Sequence, residues 1–331
     1  MNALKWILPR IALTLALALA GVIGGAMILV FLPAPKIAEA RDVYGFAKLA
    51  RSPVSGVVAP EFYRARDGAQ LAYRFYDSPS DRIVIFVHGS SYHGGAYQAL
   101  AEHLSSKGIA KVYLPNLRGH YLSGDKRGDV EYVGQLEDDV ADLIAMIRER
   151  GQNGPIVLGG HSSGGGFAIR FAGGSHHALV SGYLLLSPAL PLAPTFRTTS
   201  GGWATADVRR IIGLTILNAF HFTALNGEPV VWFNKPAQLC DGTETLVYSY
   251  RLNESMHPRY EYGRDISAMG NHVLVMVGTA DEQMNPSAFV PMFAQYDPAA
   301  KVVLLPDVNH LGIIQDPAML ATADAWLKAM H

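Results

Sequence analysis

One serine of the chain stands in a pattern that is typical of activated nucleophiles. Residues 160–164 read Gly-His-Ser-Ser-Gly and match G-x-S-x-G, with Ser162 at the centre. The apolar run 156–159 before it predicts a buried strand, and residues 165–172 after it predict a helix, so Ser162 is expected in a tight strand-to-helix turn. Glycine-rich turns that contain serine are common in loops, and it is this flanking context that favours a catalytic serine.

A serine hydroxyl is a poor nucleophile near neutral pH and needs a base to accept its proton. Asp281 follows the apolar run 272–277, with Glu282 beside it as a competing carboxylate, and His310 follows the last such run, 301–305. The ligand-binding crevice of open α/β sheets lies at the carboxyl ends of their strands. We therefore expect Ser162 as nucleophile, Asp281 as the acid that orients the histidine, and His310 as general base, in the order serine, acid, histidine.

The negative oxygen that develops during attack by Ser162 needs hydrogen-bond donors already aimed at it. One expected donor is the backbone N–H of Ser163, directly after the nucleophile. The other is the backbone N–H of Ser90, which follows the apolar run 82–87 and stands next to Gly89. An ordinary Gly/Ser loop is the alternative for this second segment, and its position after a strand favours the oxyanion role.

Alternating strand and helix patterns surround these residues. Residues 61–78 read as a hairpin around Asp67-Gly68, and short apolar runs at 82–87, 110–114, 156–159, 183–186, 272–277 and 301–305 read as buried strands. Helical patterns at 97–107 and 132–150 lie between them, the second with apolar residues at three- and four-residue steps. The alternation predicts an α/β fold with a mostly parallel, doubly wound sheet.

The N-terminus carries an uncharged apolar run at 11–32, which is long enough to span a bilayer as a helix. Pro9 and Arg10 stand before the run, and Pro33 and Pro35 follow it. A cleaved signal peptide is the alternative, because residues 38–40 resemble a cleavage site, but signal cores are about 7–15 residues long. We expect a retained single-pass anchor, with the catalytic part on the extracytoplasmic side because short basic N-terminal tails usually stay in the cytoplasm.

These patterns divide the chain into four parts. Residues 1–35 form the predicted membrane anchor and residues 36–59 a linker, while residues 60–188 and 264–331 form the predicted α/β core. Residues 189–263 are rich in aromatic residues and proline and lack a clear strand–helix rhythm. We interpret this stretch as a lid inserted into the core.

Composition narrows the classes of substrate and partner. The formal net charge is −1 and charged residues make up 17%, so no basic surface for nucleic acid is indicated. A neutral or apolar substrate fits this balance. The single cysteine, Cys240, forms no internal disulfide, and no histidine pair has the spacing of a metal site. The sequence therefore predicts neither a metal nor another cofactor.

From about residue 61 to the C-terminus, the lid excepted, the chain resembles the monoacylglycerol lipase and lysophospholipase branch of the α/β-hydrolases, often grouped with serine aminopeptidases. Residues 88–97 resemble the family's H-G-x-x-x-H-x-x-x-Y loop, residues 160–165 its G-H-S-x-G-G turn, and residues 278–281 its G-x-x-D. One departure is Tyr121, which stands where the family's R-G-H-G-x-S has glycine. Five residues in or near these motifs are expected to contribute to substrate binding: Gly89, Ser91, Tyr92, His161 and Tyr121.

The resemblance and the apolar anchor together imply a membrane-bound serine hydrolase that cleaves a carboxylic ester with an acyl chain, such as a monoacylglycerol or a lysophospholipid. An aminopeptidase or amidase with the same three catalytic residues is an alternative, for which Glu228, Asp241, Glu244 and Glu254 are available to bind an amine. A membrane-bound module that keeps the fold without catalysis is a second alternative. Haloalkane dehalogenases and epoxide hydrolases are disfavoured, because they use aspartate where this chain has Ser162.

Overall fold

A computed structural model describes residues 2–47, 58–198, 202–270 and 272–330 of the protein. Ten residues of the predicted linker, 48–57, lie outside these ranges. The helices run α1 Asn2–Phe31, α2 Gln98–Ser106, α3 Gln135–Glu149, α4 Ser163–Ala172, α5 Val208–Ala219, α6 Tyr250–Ser255, α7 Tyr262–Ser267, α8 Phe289–Tyr296 and α9 Pro317–Ala329. The strands run β1 Glu61–Arg64, β2 Gln70–Tyr76, β3 Ile83–Val87, β4 Lys111–Pro115, β5 Ile156–His161, β6 Gly182–Leu186, β7 Ala204–Ala206, β8 Pro229–Phe233, β9 Val247–Ser249, β10 Val273–Gly278 and β11 Lys301–Leu305.

Eight of these strands form one sheet in the order β1-β2-β4-β3-β5-β6-β10-β11. The hairpin β1–β2 and the pair β2–β4 are antiparallel, and the remaining neighbours are parallel, as the sequence predicts. Side chains alternate between the two faces, so that Ile83 and Ile85 join one buried cluster while Val84 and Phe86 join the other. Helices cover both faces, and β3, β5, β6 and β10 are buried along their whole length.

The segment at 189–263 contains a helix where the apolar stretch at 208–222 predicts one, and a small sheet that the sequence did not predict. Strands β7, β8 and β9 form a small antiparallel sheet, and helix α5 lies between β7 and β8 in the chain. Asp207 caps α5 by accepting a hydrogen bond from the backbone N–H of Arg210. Strands of only three to five residues give too short an alternation to stand out in a sequence rich in proline and aromatic residues.

Helix α1 extends further towards the N-terminus than its apolar run. It continues through Pro9 to Asn2, so Pro9 does not mark its start as predicted. Residues 7–31 are long and apolar enough to cross a membrane, a property that membrane anchors and signal sequences share. Prolines are tolerated within membrane helices because neighbouring groups satisfy the freed backbone atoms.

The last turns of α1 pack against α5. Ala26 and Val30 are each 1% exposed, whereas most of the helix is uncovered. A Cβ on Gly213 would lie 2.7 Å from the carbonyl oxygen of Ala26, so the glycine permits the close approach of the two helices. The guanidinium of Arg210 donates from Nε to the carbonyl oxygen of Val30 at 2.9 Å, which satisfies a group that the end of α1 leaves without a helical partner.

Candidate active site

Ser162 lies in the turn between β5 and α4, in the backbone conformation that its sequence pattern predicts. Its φ and ψ are 55° and −122°, a strained combination for a residue with a Cβ. The flanking glycines make the turn possible: a Cβ on Gly160 would lie 2.3 Å from the backbone of Gly164, and one on Gly164 would lie 2.4 Å from the carbonyl oxygen of Val87. The turn therefore raises the Ser162 hydroxyl above the carboxyl ends of the strands.

The structure brings the three expected catalytic side chains together. The Nε2 atom of His310 lies 3.1 Å from the Ser162 hydroxyl oxygen. The Nδ1 atom of the same ring lies 3.0 and 2.9 Å from the two carboxylate oxygens of Asp281. A carboxylate at Nδ1 favours the tautomer with the proton on that nitrogen, which leaves Nε2 free to accept the serine proton.

Asp281 is held in its charged form. Burial alone would raise its pKa, but the charge and hydrogen bond of His310, together with a backbone N–H, lower the pKa to about 2. Its Oδ1 atom also accepts hydrogen bonds from the backbone N–H groups of Gln283 and Met284, at 2.9 and 2.8 Å. The competing carboxylate, Glu282, accepts the backbone N–H of His310 at 3.0 Å. Glu282 therefore contacts the backbone of the histidine, and Asp281 contacts its ring.

The two residues expected to form the oxyanion hole lie side by side. The Ser90 hydroxyl donates to the Ser163 hydroxyl oxygen at 2.8 Å, which ties the loop after β3 to the start of α4. A Cβ on Gly89 would lie 3.3 Å from the Cβ of Ser162, so this loop passes directly beside the nucleophile. Both backbone segments therefore lie beside Ser162.

A buried hydrogen-bonded chain links this loop to the backbone of His310. The Tyr97 hydroxyl accepts the N–H of Gly89 at 2.9 Å and lies 3.0 Å from Nδ1 of His161. The Nε2 atom of His161 lies 2.9 Å from the carbonyl oxygen of His310. Burial and the nearby His310 lower the pKa of His161 to about 3, so the ring is neutral and donates from Nε2 while Nδ1 accepts from Tyr97.

The five residues expected to bind substrate fall into two groups. Gly89, Tyr92 and His161 line a cavity over Ser162. Ser91 is fully buried, and its backbone N–H donates to the Tyr248 hydroxyl at 2.9 Å, while Tyr121 packs on the ring of His93 at 5.2 Å between centroids. Among the described residues, Ser91 and Tyr121 are not part of the cavity wall. The backbone of Ser91 is left-handed, with a φ of 70°.

The cavity over Ser162 is narrow, with a volume of about 20 Å³, and its walls are mainly aromatic side chains. Its residues are Tyr44, Phe46, Gly89, Ser90, Tyr92, His161, Ser162, Trp203, His310 and Leu311. Sequence reasoning missed Tyr44, Phe46 and Trp203, the first two because they lie in the predicted linker. Two aromatic residues beside a glycine at 44–46, within a polar stretch, are the only signal that pointed to a packed segment there.

Potential metal ligands do not cluster in the described ranges: no group of three or more His, Cys, Asp or Glu side chains there could hold a metal ion. Among the described residues that line the cavity, none is one of the four acidic residues proposed for amine binding. Glu244 forms an ion pair with Lys235, and burial raises the pKa of Glu254. The described residues that line the cavity include no aspartate or glutamate.

Comparison with known proteins places this geometry in context. The family model described as "Serine aminopeptidase, S33" matches residues 78–310. The monoacylglycerol lipase of Mycolicibacterium smegmatis is 26% identical over 139 residues, which cover 41% of this chain and 49% of that protein. The chain thus matches about half the length of this curated relative.

Solved structures match over a larger share of the chain. The monoacylglycerol lipase of Paleococcus ferrophilus superposes with a TM-score of 0.60 at 21% identity, over 78% of this chain and 98% of that one. A bacterial membrane phospholipase A, titled a virulence factor, superposes with a TM-score of 0.55 at 18% identity, over 98% of both chains. At these identities the likeness shows a shared fold.

Proposed function

Because the chain belongs to the serine aminopeptidase S33 family and has the α/β-hydrolase fold, we propose that it is a serine hydrolase that cleaves carboxylic esters carrying an acyl chain. One observation carries the proposal: Ser162 is hydrogen-bonded to His310 and His310 to Asp281, and Ser162 and His310 line a cavity whose other walls are aromatic and uncharged. An uncharged wall suits the acyl chain of a lipid ester such as a monoacylglycerol or lysophospholipid. The names of the lipase relatives support the same class of substrate.

The proposed reaction has two steps. The Ser162 hydroxyl oxygen bonds to the ester carbonyl carbon while Nε2 of His310 takes its proton, and the backbone N–H groups of Ser90 and Ser163 bind the oxyanion. The C–O bond to the alcohol then breaks as His310 returns the proton to the leaving oxygen, leaving an acyl-serine. Water attacks the acyl-serine with His310 as base, which releases the carboxylic acid and restores the serine.

Labelling and a substrate panel test the proposal on the full-length protein in detergent. We expect a fluorophosphonate probe to label the wild type and not Ser162→Ala, and p-nitrophenyl esters to be hydrolysed faster than amino-acid p-nitroanilides. An aminopeptidase that binds a free, charged amine needs a carboxylate beside it, and the described residues that line the cavity do not offer one. Faster hydrolysis of the anilides would contradict the ester assignment, and a wild type that neither labels nor hydrolyses would indicate a non-catalytic module.

Retention of α1 as a membrane anchor is part of the same proposal. Burial of Ala26 and Val30 against α5 and the hydrogen bond from Arg210 to Val30 support it, because a cleaved signal would leave these partners empty. We expect the mature protein to keep residues 1–35 and to stay with membranes after a high-salt wash. A mature chain that begins beyond residue 35 would contradict retention.

We also propose an extracytoplasmic catalytic domain. Cys240 is partly exposed and is the single cysteine of the chain, so it reports the side of the membrane. A membrane-impermeant maleimide is expected to label Cys240 in intact cells and not to label Cys240→Ser. Labelling that requires cell lysis would place the domain in the cytoplasm.

A further inference from the structure

The segment that joins α1 to the catalytic domain is hydrogen-bonded to α5 where it begins and forms a turn near the end of its described part. We call residues 33–47 the strap. The guanidinium of Arg209 donates to the carbonyl oxygen of Pro33 at 2.9 Å, where the strap leaves α1. At the other end, the carboxylate of Asp42 accepts the backbone N–H groups of Phe46 and Ala47, at 2.6 and 3.1 Å. The resulting turn directs the side chains at 44 and 46 into the domain.

Tyr44 contacts one of the proposed catalytic residues directly and a second through one intermediate residue. Its ring centroid lies 5.2 Å from that of His310, and only 3% of the residue is exposed. Its hydroxyl donates to the side-chain oxygen of Gln283, whose backbone N–H donates to Asp281. One strap residue therefore touches the general base and is joined through Gln283 to the acid.

Phe46 completes the aromatic cover of the cavity. Its ring centroid lies 4.9 Å from that of Trp203 and 6.0 Å from that of Tyr92, and 2% of the residue is exposed. The ammonium group of Lys235 lies 5.6 Å from the Phe46 ring and 5.4 Å from the Tyr92 ring, a distance that adds cation–π attraction to the packing. The strap thus contributes two buried aromatic side chains, Tyr44 and Phe46, to the cavity wall.

From these contacts the geometry points to the strap as the wall that sets acyl-chain selectivity, with Tyr44 and Phe46 as specificity-determining residues. The inference rests on the proposed ester hydrolysis and assigns a further role within it. The cavity of about 20 Å³ is far smaller than the roughly 300–1,000 Å³ of ligand pockets, so an acyl chain bound to Ser162 meets the side chains of the strap directly. Chain-length preference then depends on the volume of the side chain at position 46.

Phe46→Ala tests this role in full-length protein in detergent, with p-nitrophenyl acetate, butyrate, octanoate and palmitate as substrates. We expect the ratio of kcat/KM for octanoate to that for acetate to rise about tenfold or more, because single methylenes in apolar pockets already change selectivity by about tenfold. Phe46→Leu, which removes less volume, is expected to move the ratio in the same direction by a smaller factor. Ile37→Ala is the matched control, since Ile37 lies on the strap and is 48% exposed.

The outcomes separate this inference from the proposed function. An unchanged ratio in both Phe46 variants, or an equal loss of activity on all four esters, would overturn the selectivity role while the wild type still hydrolyses esters. A shift of the same size in Ile37→Ala would also overturn it, because the effect would then belong to the strap in general. A wild type that neither labels with fluorophosphonate nor cleaves any ester would instead refute the proposed function itself.

Discussion

Replacement of Asp281 by asparagine is the sharpest test of the catalytic geometry. The Oδ1 atom of Asp281 already accepts two backbone N–H groups, from Gln283 and Met284. In Asp281→Asn, the amide oxygen is expected to keep these two bonds, which directs the NH2 group towards Nδ1 of His310. A donor at Nδ1 favours the tautomer that carries its proton on Nε2, and that tautomer cannot accept the proton of Ser162.

The expected loss is large because both the tautomer and the charge change. A triad with the wrong histidine tautomer loses about 10⁴ in kcat in serine proteases, which corresponds to about 5 kcal/mol of transition-state stabilisation. We expect a loss of this order in Asp281→Asn with a near-normal melting temperature. The assay is kcat on p-nitrophenyl butyrate at pH 7.5, and circular dichroism verifies that the variant is folded.

Glu282→Gln is the matched control for this change. Glu282 contacts the histidine through its backbone N–H, and a glutamine oxygen can accept the same bond. Its kcat is therefore expected to stay within about tenfold of the wild type, a change of roughly 1.4 kcal/mol. The reasoning is refuted when Asp281→Asn also stays within that range, or when Glu282→Gln loses as much activity as Asp281→Asn.

Three further outcomes are expected from contacts around the site. Tyr248→Phe removes the acceptor of the buried Ser91 N–H, so the free energy of unfolding should fall by about 1–3 kcal/mol in chemical denaturation, the cost of a buried donor left unpaired. Arg210→Met removes a charged hydrogen bond to the end of α1 and should lower the free energy of unfolding by ~2 kcal/mol in detergent; an equal effect of Arg209→Met, on a side chain 49% exposed, would contradict this. The pKa of Asp281, about 2, is below its value of about 3.9 in an unfolded chain, so the unfolded state binds more protons as the pH falls. The stability that this group contributes above pH ~4 is therefore lost as the pH falls towards 2. In denaturation at pH 5 and pH 3, the free energy of unfolding should fall more in the wild type than in Asp281→Asn.

The catalytic residues could be predicted from the sequence because each of them follows a strand of the sheet. Ser162, Asp281 and His310 each follow a buried apolar run, and a parallel sheet brings the carboxyl ends of such runs to one edge. Their convergence could therefore be expected without knowing any side-chain contact. The glycines around Ser162 gave the same information about the turn, because only residues without a Cβ fit there.

The walls of the cavity were not predictable by the same reasoning. Tyr44 and Phe46 lie more than a hundred positions before Ser162, in a stretch without a strand or helix period, and nothing local reveals which surface an aromatic side chain will cover. Tyr248 sits on a three-residue strand, too short to establish a face. Ser91 shows the opposite error: its motif suggests substrate contact, but the residue is fully buried and has a left-handed backbone.

The packing of α1 against α5 also affects how the protein can be prepared. A shortened chain that starts after residue 35 would present an uncovered groove at Gly213 and leave Arg210 without its carbonyl acceptor at Val30. An apolar helix face that is buried in the native molecule would then be exposed to solvent, and such exposed faces promote self-association. Purification in micelles or lipid nanodiscs, with the first helix intact, is therefore the route most consistent with the native molecule.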